Sequence, residues 1–260
     1  MHPARLSLAL GLLLAAFAGT IIAGERPDKP RSGITYQSAE TQRLQADDDQ
    51  NPAMLWVQDG ERVFAEAPLA DARACVSCHG ADASALAGVA TRYPAIDAAS
   101  GALLNLEGRI NACRTRHQSA APLAYESKEL IALTAYLSHK SRGLPRNVKI
   151  DGPAAPHFEA GRAFFLTRQG QLNVSCAQCH ADNVGQKLRG DTISQGQTHG
   201  WPAYRLEWQS AGSLHRRLRA CSLGVRAEIL DYGAPEYLAL ELYLAWRGGD
   251  LPVEAPGVRR

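Results

Sequence analysis

One pattern constrains this chain more than any other: Cys75-Val76-Ser77-Cys78-His79 and, later, Cys176-Ala177-Gln178-Cys179-His180. C-x-x-C-H is the attachment signature of a c-type haem. Two thiols at this spacing add to the two vinyl groups of the porphyrin, and the adjacent imidazole becomes an axial ligand of the iron. A redox-active C-x-x-C or half of a zinc site shares the cysteines but does not need the trailing histidine, which follows both times. The chain has six cysteines, and the two motifs account for four of them. The pattern implies two covalently bound haem c groups, attached at Cys75, Cys78, Cys176 and Cys179, with His79 and His180 as iron ligands.

The 260 residues fit two domains or one large one. The formal net charge of +2 favours neither an acidic nor a basic partner. No Lys/Arg-rich run marks a nucleic-acid binder. Residues 1–24 read as a secretory signal: Arg5 gives a positive start, Leu6 to Phe17 is almost wholly apolar, and Ala16-Phe17-Ala18 offers a cleavage site. The competing reading, an uncleaved anchor, is opposed by Gly19-Thr20, which interrupt the apolar run short of the ~20 residues a span needs. Export to the periplasm, with no membrane insertion after cleavage, also suits covalent haem attachment, which bacteria perform outside the cytoplasm.

Residues 25–53, with Pro27, Pro30, Pro52 and the run Asp47-Asp48-Asp49, read as an extended polar arm. From Met54 the pattern is helical, and the chain then repeats. Gly60, Phe64 and Cys75 recur 101 residues on as Gly161, Phe165 and Cys176. Tyr93-Pro94-Ala95 and Cys113 recur at an offset of 108 as Trp201-Pro202-Ala203 and Cys221. Tyr136-Leu137 returns at an offset of 107 as Tyr243-Leu244. An insertion between His180 and Trp201 accounts for the change. The expectation is an all-α chain of two tandem cytochrome c-like domains produced by internal duplication. They span 54–150 and 151–260, with a linker from Arg146 to Pro156 and no sheet beyond short ribbons. Apolar stripes at helical spacing (Leu130, Leu133, Leu137; Leu240, Leu244) read as core.

The open question is the far side of each iron. Cytochromes c commonly use methionine there, but Met1 belongs to the signal and Met54 precedes both motifs. Of the later histidines (His117, His139, His157, His199, His215), none occupies matching positions in the two halves. The two spare cysteines, Cys113 and Cys221, do match. Each is therefore expected to ligate the iron of its own half, as a thiolate that lowers the potential. The alternative is a Cys113–Cys221 disulfide, natural in an exported protein.

The two cysteines differ in their approach. Cys221 closes His215-Arg216-Arg217-Leu218-Arg219-Ala220, where the first half has Glu107-Gly108-Arg109-Ile110-Asn111-Ala112 before Cys113. On a helix Arg217 lies one turn before Cys221 on the same face. Cations beside a thiol stabilise the thiolate and attract a small dianion. The plainer reading is that Arg109 and Arg217 neutralise haem propionates and that Arg216 and Arg219 are solvated. Arg247, matched by Lys140, is a further candidate.

These residues resemble the SoxA subunits of the SoxAX cytochrome complex of bacterial sulfur oxidation. The resemblance rests on both C-x-x-C-H motifs, on Ile110-Asn111-Ala112-Cys113-Arg114-Thr115, and above all on Arg216-Arg217-Leu218-Arg219-Ala220-Cys221-Ser222. It implies the dihaem subtype. It also implies that Cys221 ligates the second haem, carries an extra sulfur as a persulfide, and is the catalytic residue, with Arg217 and Arg247 in its pocket. The implied activity is L-cysteine S-thiosulfotransferase, joining thiosulfate oxidatively to a cysteine of the carrier protein SoxYZ. The monohaem cytochrome SoxX is the implied partner in a heterodimer and the next electron acceptor. Two other classes remain open: a plain dihaem electron carrier without a substrate site, and a dihaem peroxidase. The peroxidase needs an iron with a free position, which a cysteine ligand on each iron denies it.

Overall fold

The computed structural model describes residues 26–260, so the expected signal over 1–24 lies outside the described residues. The arm is less extended than its composition predicts. A short 3-10 turn covers Gly33–Tyr36, and a first helix, α1, covers Ala39–Ala46. Ser38 caps α1 by accepting the N–H of Thr41 at 3.2 Å, and Glu40 sits in its positive first turn. Capping chemistry here outweighs the polar, proline-containing context.

The first half then runs α2 (Met54–Ala65), α3 (Val76–His79), the paired strands β1 (Ala95–Ile96) and β2 (Leu103–Leu104), α4 (Leu106–His117) and α5 (Lys128–His139). In the second half α6 (Ala155–Leu166) is followed by a five-residue π-helical turn (Gln178–Asp182), a β3–β4 hairpin (Lys187–Leu188, Asp191–Thr192), β5 (Ala203–Arg205) and β6 (Ser210–Gly212). Helices α7 (Leu214–Gly224) and α8 (Pro235–Arg247) and strand β7 (Gly257–Arg259) complete it. Asn105, Ser127 and Ser213 cap α4, α5 and α7 with their side-chain oxygens, and α8 starts on a proline.

In each half the first and last helices cross at a glycine. A Cβ on Gly60 would collide with the Ala132 carbonyl and with Tyr136, and one on Gly161 with the Ala239 carbonyl. Only a glycine lets the backbones approach this closely. Phe64 lies against Tyr136 (ring centroids 5.5 Å) and Phe165 against Tyr243 (5.3 Å). One core collects Val57, Phe64, Leu106, Ile110, Leu130, Leu133 and Tyr136. The other collects Phe158, Phe165, Leu240, Leu242 and Tyr243.

The cores are interlocked. Leu103 and Ile96, on the first half's hairpin, belong to the second core. Tyr204, on the second half's hairpin, meets Trp56 of α2 edge-on at 5.9 Å.

The chain is helix-rich but not all-α. Strand β5 pairs antiparallel with β6 and parallel with β7, with Arg205 opposite Arg259. The arm pins β7 from outside: Gln45 accepts the Val258 N–H at 3.0 Å, and Asn51 donates to the Pro256 carbonyl at 3.2 Å. Backbone pairing between segments about 50 residues apart leaves no local sequence signature. Among the described residues no helix is long and apolar enough to cross a membrane.

Between the halves lies a buried polar seam. The N-terminus of α4 supplies Asn105 and Glu107, α7 supplies His215, and α8 supplies Glu241. Asn105 donates to Glu241 at 3.2 Å, and His215 Nε2 stands 3.2 Å from the same carboxylate. His215 Nδ1 accepts the Gly233 N–H at 3.0 Å, which leaves the ring proton on Nε2. Arg146, expected in a linker, is buried here. It lines a cavity of about 20 Å³ with Glu107 and Glu241, room for about one water.

Candidate functional site

The second C-x-x-C-H motif is built from three directions. The π-helical turn carries Cys179 and His180, with Cys176 just before it. His180 Nδ1 lies 2.7 Å from the Ser194 carbonyl. A hydrogen bond from that nitrogen fixes the ring and leaves Nε2 for a metal, the arrangement that orients most ligating histidines. Gly196, with φ of +74°, lies flat against the ring, and a Cβ there would stand 3.1 Å from it. Gly196 stands 108 residues after Gly88, which has a matching positive φ of +76°.

From the other side α7 presents Cys221. Its thiol and the His180 imidazole are within hydrogen-bond reach of each other, and it lies beside Cys176 and Cys179. Burial pushes the Cys176 thiol up to about 12. For Cys221 burial also acts upward, but Arg217, His180 and Arg205 more than offset it and bring the thiol down to about 7.

The cations do not all face the thiol. Arg217, one turn before Cys221, does. Arg216 instead stacks on Trp208 at 4.2 Å, donates to Ser210 and reaches Glu126 at 3.8 Å. Arg219 donates to the Leu230 carbonyl and covers Tyr232. Aromatic faces and a carbonyl hold these two guanidiniums away from Cys221, so their expected contribution to that site falls away. Arg247 is buried behind the motif, donating to the Gln195 carbonyl at 2.9 Å and the His180 carbonyl at 3.4 Å, over the Phe165 ring. It braces the backbone of the motif. Arg205, from β5, is the cation that the sequence reading missed, because its signal is a strand position 16 residues from Cys221.

The first motif is simpler. Cys75 and Cys78 flank the turn α3, and His79 ends it. The His79 ring lies 6.3 Å from that of Phe64. Burial raises the Cys75 thiol, and Cys113 lies near enough to add to the effect. Gln118 donates to the Cys75 sulfur at 3.5 Å. Arg109 does not reach toward Cys113: it pairs with Asp97 at 3.2 Å, alongside Arg116 at 2.6 Å. All six cysteines are free, and Cys113 and Cys221 each lie beside their own motif, so no disulfide joins them.

The donor sets fit haem c. In each half two thiols flank one helical turn, an imidazole follows, and a third thiol approaches from a separate helix. Residues 59–146 match the model of a family described as SoxA/TsdA, cytochrome c domain, and covalent haem c is the cofactor of such a domain. The chain is 39% identical over 235 residues to the L-cysteine S-thiosulfotransferase subunit SoxA of Rhodovulum sulfidophilum, covering 90% of this chain and 82% of that protein. It is 39% identical over 228 residues to the same subunit of Paracoccus pantotrophus, covering 88% and 78%. The crystal structure of SoxXA from P. pantotrophus superposes with a TM-score of 0.87 at 38% identity, over 90% of this chain and 89% of that one.

Proposed function

Because the chain belongs to the SoxA family of L-cysteine S-thiosulfotransferase subunits, we propose that it couples thiosulfate to a cysteine of the carrier protein SoxYZ in the periplasm. The arrangement that carries this reading is the Cys221 thiol, set between the oriented His180 and Arg217.

Two tandem cytochrome c-like domains, 54–150 and 151–260, hold one haem c each. The constant offsets and the paired glycine crossings support their origin in an internal duplication. His79 with Cys113, and His180 with Cys221, would hold the two irons. Cys75, Cys78, Cys176 and Cys179 form the thioethers. Arg247 keeps the His180 backbone in place.

Thiosulfate carries two negative charges and a terminal sulfur. Arg217 attracts the anion and orients it with that sulfur toward Cys221. The carrier cysteine then loses its proton as a sulfur–sulfur bond forms to the terminal sulfur, releasing two electrons. Bound haem supplies the electron sink beside the reacting sulfur. Cys221 is the residue that would carry an extra sulfur as a persulfide. SoxX, named together with SoxA in the solved SoxXA, is the partner in a heterodimer and the next acceptor.

The experiment is reduction of an acceptor cytochrome by the purified heterodimer. It is expected only when thiosulfate and SoxYZ are both present. Reduction that proceeds equally without SoxYZ would favour the plain electron carrier.

A further inference from the structure

The repeat places opposite charges at one structural position in the two halves. Strands β1–β2 pair Ala95 with Leu104 and Ile96 with Leu103. Strands β5–β6 pair Ala203 with Gly212 and Tyr204 with Ala211. Each residue lies 108 after its counterpart, so the hairpins are equivalent residue for residue. On that register Asp97 corresponds to Arg205, and Arg109 to Arg217. Asp97 bonds through its N–H to the Ala102 carbonyl across its hairpin, and Arg205 pairs with the matching Ser210.

In the first half Asp97 sits against Arg109 at 3.2 Å and closes the cation off. In the second half the equivalent neighbour of Arg217 is another arginine, and the two repel: Arg217 is among the groups that lower the Arg205 guanidinium from its ordinary range, after burial itself. The Arg205 side chain is only 5% exposed, so solvent does little to relieve that repulsion. Glu207 accepts from Nε at 3.0 Å and from one terminal nitrogen at 2.6 Å, both through a single carboxylate oxygen. Glu207 thus compensates Arg205, with Asp191 as a weaker counter-charge. Arg259, on the parallel strand, is paired with Glu254 at 3.7 Å and adds no free anion. A buried arginine beside the partly buried Arg217, in the place where the first half has a carboxylate, adds positive potential to a site for an anion.

We propose that Arg205 is a second anion-binding residue of the Cys221 site, which with Arg217 selects a small oxyanion dianion. This deepens the proposed function and rests on its placement of the substrate at Cys221. Replacing an aspartate by an arginine at one hairpin position removes the carboxylate that would close off Arg217 and puts a second cation beside it.

The test is equilibrium binding of thiosulfate to the haem-loaded heterodimer without SoxYZ, so that no turnover occurs, read by calorimetry and by the electron paramagnetic resonance of the iron beside Cys221. Arg205→Gln is expected to raise Kd about tenfold or more. Arg205→Lys should recover part of the affinity. Arg205→Asp, which puts a carboxylate beside Arg217 as Asp97 stands beside Arg109, should abolish binding. Unchanged Kd in folded Arg205→Gln or Arg205→Asp overturns the proposal, even if the haem potential moves, since that pattern belongs to a propionate partner. Thiosulfate binding that depends on Arg205 without any coupling to SoxYZ would instead sink the proposed function and leave this inference standing.

Discussion

The two halves share a plan of crossing helices, hairpin and capped helix, yet they treat the space around their third cysteine in opposite ways. Near Cys113 the cations are consumed: Arg109 and Arg116 both clamp Asp97. Near Cys221, Arg217 faces the thiol, Arg205 stands where the aspartate would be, and the Ser194 carbonyl orients His180. Both halves present a C-x-x-C-H motif and a third cysteine, but the charged groups around that cysteine differ between them. A duplicated domain can keep its packing while a few charged positions decide whether it does chemistry.

The comparison breaks most visibly if the axial assignments are wrong. Cys113→Met and Cys221→Met should each abolish one thiolate-type low-spin signal in electron paramagnetic resonance and leave the other. Loss of both signals from one substitution would show that the halves do not ligate independently. A smaller effect is expected at the matched arginines. Arg217→Ala should raise the KM for thiosulfate roughly tenfold to a hundredfold, since one charge-assisted contact is worth about 1.5–3 kcal/mol. Arg109→Ala should leave KM unchanged, because its partner is Asp97.

The smallest effect concerns the seam the halves share. Burial, with Glu241 nearby, pushes the Glu107 carboxyl up to about 7. A carboxyl raised in the folded state contributes stability below its unfolded range, and that contribution is lost as pH rises through about 7. Arg146 is a buried cation that faces both carboxyls across the cavity. The thermal midpoint should therefore fall between about pH 5 and about pH 8, and Glu107→Gln should flatten that fall. An unchanged slope in the variant would remove Glu107 from the account.

Much of this was legible in the chain itself. The haem motifs, the glycine crossings and the match of Cys113 with Cys221 are local patterns or constant offsets, and such signals survive without a structure. The helix over Leu214–Gly224 put Arg217 on the Cys221 face, as its spacing required. What the sequence concealed was direction. Three arginines precede Cys221 in one run, and Trp208, Tyr232 and the Leu230 carbonyl divert Arg216 and Arg219 from it. Arg205 depends on a strand register, and the arm's grip on β7 on contacts about 200 residues apart. Charge signs at Asp97 and Arg205 gain meaning only once the hairpins superpose. Tertiary neighbours, not composition, decide what a buried arginine touches.

The central claim is that one half reacts and the other does not. Its most direct test compares Cys221→Ala with Cys113→Ala in thiosulfate- and SoxYZ-dependent reduction of the acceptor cytochrome, with haem content measured on both. The account predicts that Cys221→Ala abolishes turnover while Cys113→Ala keeps most of it. Full turnover in Cys221→Ala, or equal loss in both variants, would contradict it.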